Sequence, residues 1–113
     1  MRARVATSTR MQATFGPGIT LIDFTAKWCG PCKVMAPVMD ALAKEYAGRV
    51  RVVAIDVDDE QLIAQQFNVR SMPTFVVVRD GQEVGRTIGS RPRAFIAGML
   101  DRALAGDRAI AAP

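Results

Sequence analysis

The feature that most constrains the fold is an apolar run at residues 19–24, which an amphipathic helix pattern soon follows. A run that is apolar at nearly every position predicts a strand covered on both faces, as in a sheet between helices. In the following segment apolar residues recur at helical spacing: Val34, Met35, Val38, Met39, Leu42 and Tyr46. They predict an amphipathic helix, in which Pro37 removes one backbone donor and which Gly48 fits at its carboxyl end.

The next segments alternate in the same way. Residues 50–57 predict a second buried strand, and Asp58 or Asp59 is placed to cap a short helix after it. Residues 74–79 predict a third strand. The inward-facing residues expected of the short helix are Leu62, Ile63 and Phe67.

The last part of the chain predicts a hairpin and a final helix. Asp80 and Gly81 form a strong hairpin turn, and residues 83–88 form the returning strand. Ser90 is expected to cap the last helix, with Pro92 tolerated in its first turn. The apolar stripe of that helix comprises Phe95, Ile96, Met99, Leu100, Ala103 and Leu104.

This order predicts an α/β fold with one mixed sheet. The first half requires parallel pairing through a crossover helix, the hairpin requires antiparallel pairing, and helices cover both faces. The 113 residues suit one domain at residues 19–105. Residues 1–18 are a weakly patterned segment of the same domain, with a short strand or helix at 5–13, and residues 106–113 form a C-terminal tail.

Composition narrows the possible functions. The net charge is +4, but basic and acidic residues are interleaved, which argues against a nucleic-acid interface. No apolar run is long enough to span a membrane, and residues 1–18 lack the apolar core of a secretory signal. The expected location is the cytoplasm, where thiols stay reduced. With two cysteines and no histidine, the chain cannot build a zinc site alone.

The chemistry is expected at Cys29 and Cys32, which lie between the first strand and the helix. Cys29 falls at or just before the first helical turn, where unpaired N–H groups and the helix dipole favour a thiolate. Cys32 lies close enough to close a disulfide and points into the domain. Dithiol–disulfide exchange is favoured over a half zinc site, a purely structural disulfide or two inert buried thiols.

Two further residues carry open alternatives. Asp23 interrupts the buried strand, so it is either a strand-end residue that reaches water or a proton acceptor for Cys32 with a raised pKa. Pro73 is either a trans proline that opens a strand, or a cis proline facing the thiols that leaves the backbone of Met72 free for an extended substrate.

Residues 23–33, DFTAKWCGPCK, resemble the active-site signature of the thioredoxin family. Further matches follow in the family's order and spacing: Ala36-Pro37, Met72-Pro73-Thr74, Asp80-Gly81 and Gly89. The resemblance extends from about Ile19 to Leu104. It implies the thioredoxin fold, and it implies a protein-disulfide reductase.

The resemblance also implies roles for individual residues. Cys29 would be the nucleophile, Cys32 the resolving thiol, Asp23 the buried acid and Pro73 the cis proline. The spacer Gly30-Pro31 is similar to that of reducing members and would tune the redox potential. The residues implied to dock substrates are Trp28, Met72, Ile88 and Gly89, together with the spacer.

The implied partners are proteins with disulfide bonds and an NADPH-linked thioredoxin reductase, with no cofactor bound to the chain itself and a monomer expected. One departure concerns Ala54, which occupies a position where many members have a lysine near the buried acid. Two other functions are compatible with the residues. One is a redox-linked binding module or chaperone, and the other is a dedicated oxidoreductase with few partners.

Overall fold

The computed structural model describes residues 15–110. The elements in chain order are β1 (Ile19–Thr25), α1 (Gly30–Glu45), β2 (Val50–Asp56), α2 (Gln61–Gln66), β3 (Thr74–Arg79), β4 (Gln82–Ile88) and α3 (Arg93–Leu104). This order confirms the predicted alternation. The strand or helix expected at residues 5–13 lies outside the described residues. No helix in the described part of the chain is long and apolar enough to cross a membrane.

The sheet is mixed, as predicted, with the strand order β2-β1-β3-β4. β1 pairs in parallel with β2 and antiparallel with β3, which pairs antiparallel with β4. Asp80 and Gly81 connect β3 to β4 with φ angles of 52° and 85°. Two successive residues in the left-handed region are typical of the turn that matches the twist of a two-residue hairpin.

Helices cover both faces of the sheet. The side chains of β1 point alternately to the two faces, so this strand contributes to two separate hydrophobic cores. Leu21 packs with residues of α1 and α3, among them Leu42 and Ile96. Phe24 projects to the other face and packs with Phe67, which follows α2. Asp23 shares the face of Leu21, since side chains two residues apart on a strand point the same way.

The prediction of a second buried strand holds only in part. Val50 and Ile55 are buried, whereas the other residues of β2 are half-buried or exposed. Three apolar helix residues that were expected inside are exposed instead: Val34, Leu62 and Leu104 are 70%, 64% and 38% exposed. A helix packed against a sheet buries a narrower stripe than the apolar positions of these helices suggested.

The predicted helix caps are also wrong. α2 begins after Glu60 without a side-chain cap, and the Asp56 carboxylate instead accepts hydrogen bonds from the N–H groups of Asp58 and Asp59, at 2.8 and 3.3 Å. The N-cap of α3 is Pro92, not Ser90, and it has no side-chain hydrogen bond. Local sequence suggested a cap in each case, but each helix begins one or two residues later than that cap predicts.

The segment after α3 folds back onto the sheet edge. Ile110 is 2% exposed, and its N–H donates to the carbonyl of Val84 at 2.6 Å. A Cβ on Gly85 would overlap the carbonyl oxygen of Ile110 and lie 2.7 Å from its Cβ. Glycine at this position is therefore what permits the close approach.

Candidate active site

Cys29 is the N-cap of α1, at the junction where the chain leaves β1 and turns into the helix. Its backbone is extended, and its Sγ accepts a hydrogen bond from the Cys32 N–H at 3.2 Å. Pro31 lies in the first turn, where its missing N–H costs nothing. A sulfur at this position receives one of the unpaired helix N–H groups and lies at the positive end of the helix dipole.

The two cysteines form a disulfide bond, with their Cα atoms 5.3 Å apart. Each is 4% exposed, so exposure does not distinguish them in this oxidised state. They differ in position. Cys29 is at the helix end, whereas Cys32 shares the inner face of α1 with the buried Met35 and Met39.

Asp23 lies on the sheet face that α1 covers. It is 6% exposed, and its Oδ1 atom is buried without a hydrogen-bond partner. Burial raises the pKa of this carboxyl group from 3.8 to about 6. This direction agrees with the expected rise in the pKa, and the side chain is buried rather than exposed at a strand end.

The neighbours of Asp23 in the sheet are uncharged. Its partner on β2 is Ala54 and its partner on β3 is Phe75. Ala54 is exposed. The position at which the family resemblance suggested a lysine is therefore next to the acid, and Ala54 supplies no cation to stabilise a carboxylate.

Two loops complete the site: one precedes β3 and the other follows β4. The Met72–Pro73 peptide bond is cis, as the family resemblance implied, and Met72 packs against the cluster that holds both cysteines. The Gly89 N–H donates to the Pro73 carbonyl at 2.8 Å and joins the second loop to the first. Beside it, Ile88 is 53% exposed.

Trp28 precedes Cys29 and is 67% exposed, and its Nε1 donates to Asp58 Oδ2 at 3.0 Å. This role of Asp58 was not predicted from the sequence. The signal was present, because β1 and β2 are parallel and the loops that follow them leave the same edge of the sheet. All ten predicted site residues lie on the elements or loops that meet around the disulfide. Within residues 15–110, no cluster of three or more His, Cys, Asp or Glu residues is placed to hold a metal ion.

Comparison with known proteins agrees with this geometry. The thioredoxin family model matches residues 9–102. A thioredoxin of Haemophilus influenzae is 46% identical over 82 residues, which is 73% of this chain and 77% of the relative. A Staphylococcus aureus thioredoxin is 42% identical over 87 residues, which is 77% of this chain and 84% of the relative.

A similar solved structure comes from a study of thiol resolution in yeast mitochondrial 1-Cys peroxiredoxin via glutathione and thioredoxin systems. Its TM-score is 0.72 at 39% identity, and the match covers 83% of this chain and 88% of that chain. Each of these matches covers most of this chain and most of the protein with which it is compared. The chain therefore belongs to the thioredoxin family of thiol-disulfide oxidoreductases.

Proposed function

We propose that this chain reduces disulfide bonds in other proteins, with Cys29 as the nucleophile and Cys32 as the resolving thiol. The observation that carries this assignment is the N-cap position of Cys29, whose sulfur already accepts the Cys32 N–H. In the reduced protein the same N–H and the helix dipole would stabilise a thiolate. Within residues 15–110, no backbone N–H is donated to the Cys32 sulfur in the same way.

The reaction proceeds by two exchanges. The Cys29 thiolate attacks one sulfur of the substrate disulfide, forms a mixed disulfide and releases the other substrate sulfur, which takes a proton. Cys32 then loses its proton and attacks the Cys29 sulfur. This closes the Cys29–Cys32 disulfide and releases the second substrate thiol. Two electrons pass to the substrate, and the chain ends in the oxidised state seen here.

Asp23 is proposed to accept the proton of Cys32. It lies on the sheet face beneath α1, and Cys32 lies on the inner face of that helix. A carboxyl group with a pKa of about 6 is mostly ionised at neutral pH and still basic enough to take a proton from a thiol.

The exposed side chains around the disulfide are proposed to bind the substrate. Trp28 and Ile88 offer apolar surface on two sides of the site, and Met72 lies against the cysteines. The Met72 backbone precedes the buried Pro73, before β3 begins, where an extended substrate segment can pair with it. Gly30 and Pro31, between the two cysteines, are exposed and are proposed to contact the substrate as well.

The electron supply is proposed from family membership. An NADPH-linked thioredoxin reductase would return electrons to the Cys29–Cys32 disulfide, and the chain would act as a monomer in the cytoplasm without a cofactor of its own. The electron supply is tested separately. Such a reductase should reduce the Cys29–Cys32 disulfide and oxidise NADPH, which is measured by the fall in NADPH absorbance.

The reductase assignment is tested by insulin reduction with dithiothreitol as the electron source. Cys29→Ser should abolish the activity. Cys32→Ser is the matched control, because it keeps the nucleophile and should accumulate a mixed disulfide visible by non-reducing electrophoresis. Activity that survives in Cys29→Ser would refute the assignment, and trapping through Cys32 in that variant would reverse the two roles.

A further inference from the structure

Charge is distributed unevenly around the disulfide. The segments 61–79 and 84–100, which supply the Met72 and Gly89 loops, contain five arginines and no aspartate or glutamate. Three of these arginines have other partners. Arg86 pairs with Glu83 and Arg93 with Glu45, while Arg79 donates to the carbonyl groups that end α3.

The remaining two, Arg70 and Arg91, are held by neutral partners. The Nε of Arg70 donates to the neutral Oδ1 of Asn68 at 3.3 Å. The Nε of Arg91 donates to the hydroxyl of Thr87 at 2.8 Å, and its guanidinium lies 5.1 Å from the Phe95 ring centre. Neither has a carboxylate partner among residues 15–110. Neutral acceptors hold both side chains in place without cancelling their charge.

Both arginines lie beside the site. Arg70 is two residues before Met72, which packs on the cysteine cluster, and Arg91 is two residues after Gly89, which is bonded to Pro73. Two residues span at most about 7 Å. The Debye length at physiological salt is about 8 Å, so charges carried so close to the site are only partly screened from a partner docked there.

The opposite side of the site is acidic. Four carboxylates follow one another closely at Asp56, Asp58, Asp59 and Glu60. Through the bond between Asp58 and Trp28, this loop is joined to the residue before Cys29. The disulfide therefore lies between a basic side and an acidic side.

From this arrangement we infer that the surface selects its substrates by charge, and that the favoured disulfides have carboxylates on one side of the target cysteine, where Arg70 and Arg91 meet them. This inference rests on the proposed reductase function. It names a substrate class, an extended protein segment with aspartate or glutamate flanking its cysteine on one side. Complementary charges at the rim of an interface mainly raise the association rate, so the preferred substrates should have a higher kcat/KM.

The test uses synthetic disulfide peptides of one scaffold. One peptide has three glutamates before the target cysteine, a second has them after it, and each has a glutamine counterpart. At low salt, at least one glutamate peptide should be reduced about three- to tenfold faster in kcat/KM than its counterpart. In 0.5 M NaCl the ratio should fall below about twofold. Equal rates for both glutamate peptides and their counterparts would overturn the inference.

Variants then locate the charge. Arg70→Ser/Arg91→Ser should bring the ratio of glutamate to glutamine peptide close to one, whereas Arg70→Lys/Arg91→Lys should retain it. Arg49→Ser/Arg108→Ser is the matched control with the same loss of charge at the other end of the sheet, and it should keep the wild-type ratio. A ratio that survives in the first variant, or disappears in the control, would refute the assignment to Arg70 and Arg91.

The two proposals fail in different ways. If the wild type reduces neither insulin nor the glutamine peptides, the reductase function is wrong. If it reduces the glutamine peptides and shows no charge preference, only the inference about substrate charge is wrong.

Discussion

Replacing Asp23 with asparagine should stabilise the folded protein at neutral and alkaline pH. Burial raises the pKa of this carboxyl from 3.8 to about 6, so the folded chain binds the proton more tightly than the unfolded chain. Its contribution to stability is therefore complete below pH 3.8 and is lost as the pH rises through 6. At about 1.4 kcal/mol per pKa unit, the loss approaches about 3 kcal/mol. Asparagine carries no charge at any pH, so the variant does not undergo this loss of stability.

The assay is urea unfolding of the oxidised wild type and of Asp23→Asn at pH 4 and pH 8. The two proteins share every other carboxyl group, so the difference between their free energies of unfolding isolates the contribution of Asp23. The advantage of the variant should be about 2.5 kcal/mol larger at pH 8 than at pH 4. The same advantage at both values would refute the reasoning, because the carboxyl group would then have an ordinary pKa.

Three other predictions, two of them with a control variant, test the remaining structural claims. Ala54→Lys should lower the pKa of Asp23 by about one unit, because it places a cation at the β2 partner position; a carboxyl NMR titration measures this, and an unchanged pKa would contradict it. Gly85→Ala should destabilise the fold by about 1–3 kcal/mol, because the new methyl group meets the backbone of Ile110. The control Gly98→Ala, in α3 with open space around it, should be neutral or stabilising. Leu42→Ala should cost about 2–5 kcal/mol, whereas Val34→Ala on the same helix should change stability by less than about 0.5 kcal/mol, since Leu42 is fully buried and Val34 is exposed. Equal unfolding midpoints for the last two variants would contradict the burial pattern of α1.

Much of the fold and of the chemical site could be predicted from local sequence. The apolar run that forms β1, the helical spacing of Met35 and Met39 and the turn at Asp80-Gly81 each depend on neighbours within a few residues. Sequence likewise placed Cys29 at a strand–helix junction, and the structure makes it the N-cap. These features follow from backbone geometry and short-range hydrogen bonding, which depend only on residues that are close together in the sequence.

Only the tertiary structure decided which of these surfaces are covered. β2 is apolar enough for a strand buried along its length, yet Val50 and Ile55 are the residues of β2 that are buried. Val34 is likewise exposed on the outer side of α1, although its spacing predicted burial. The bond from Trp28 to Asp58 joins residues thirty positions apart. Such contacts depend on how distant segments share limited space around the sheet, and no local pattern contains that information.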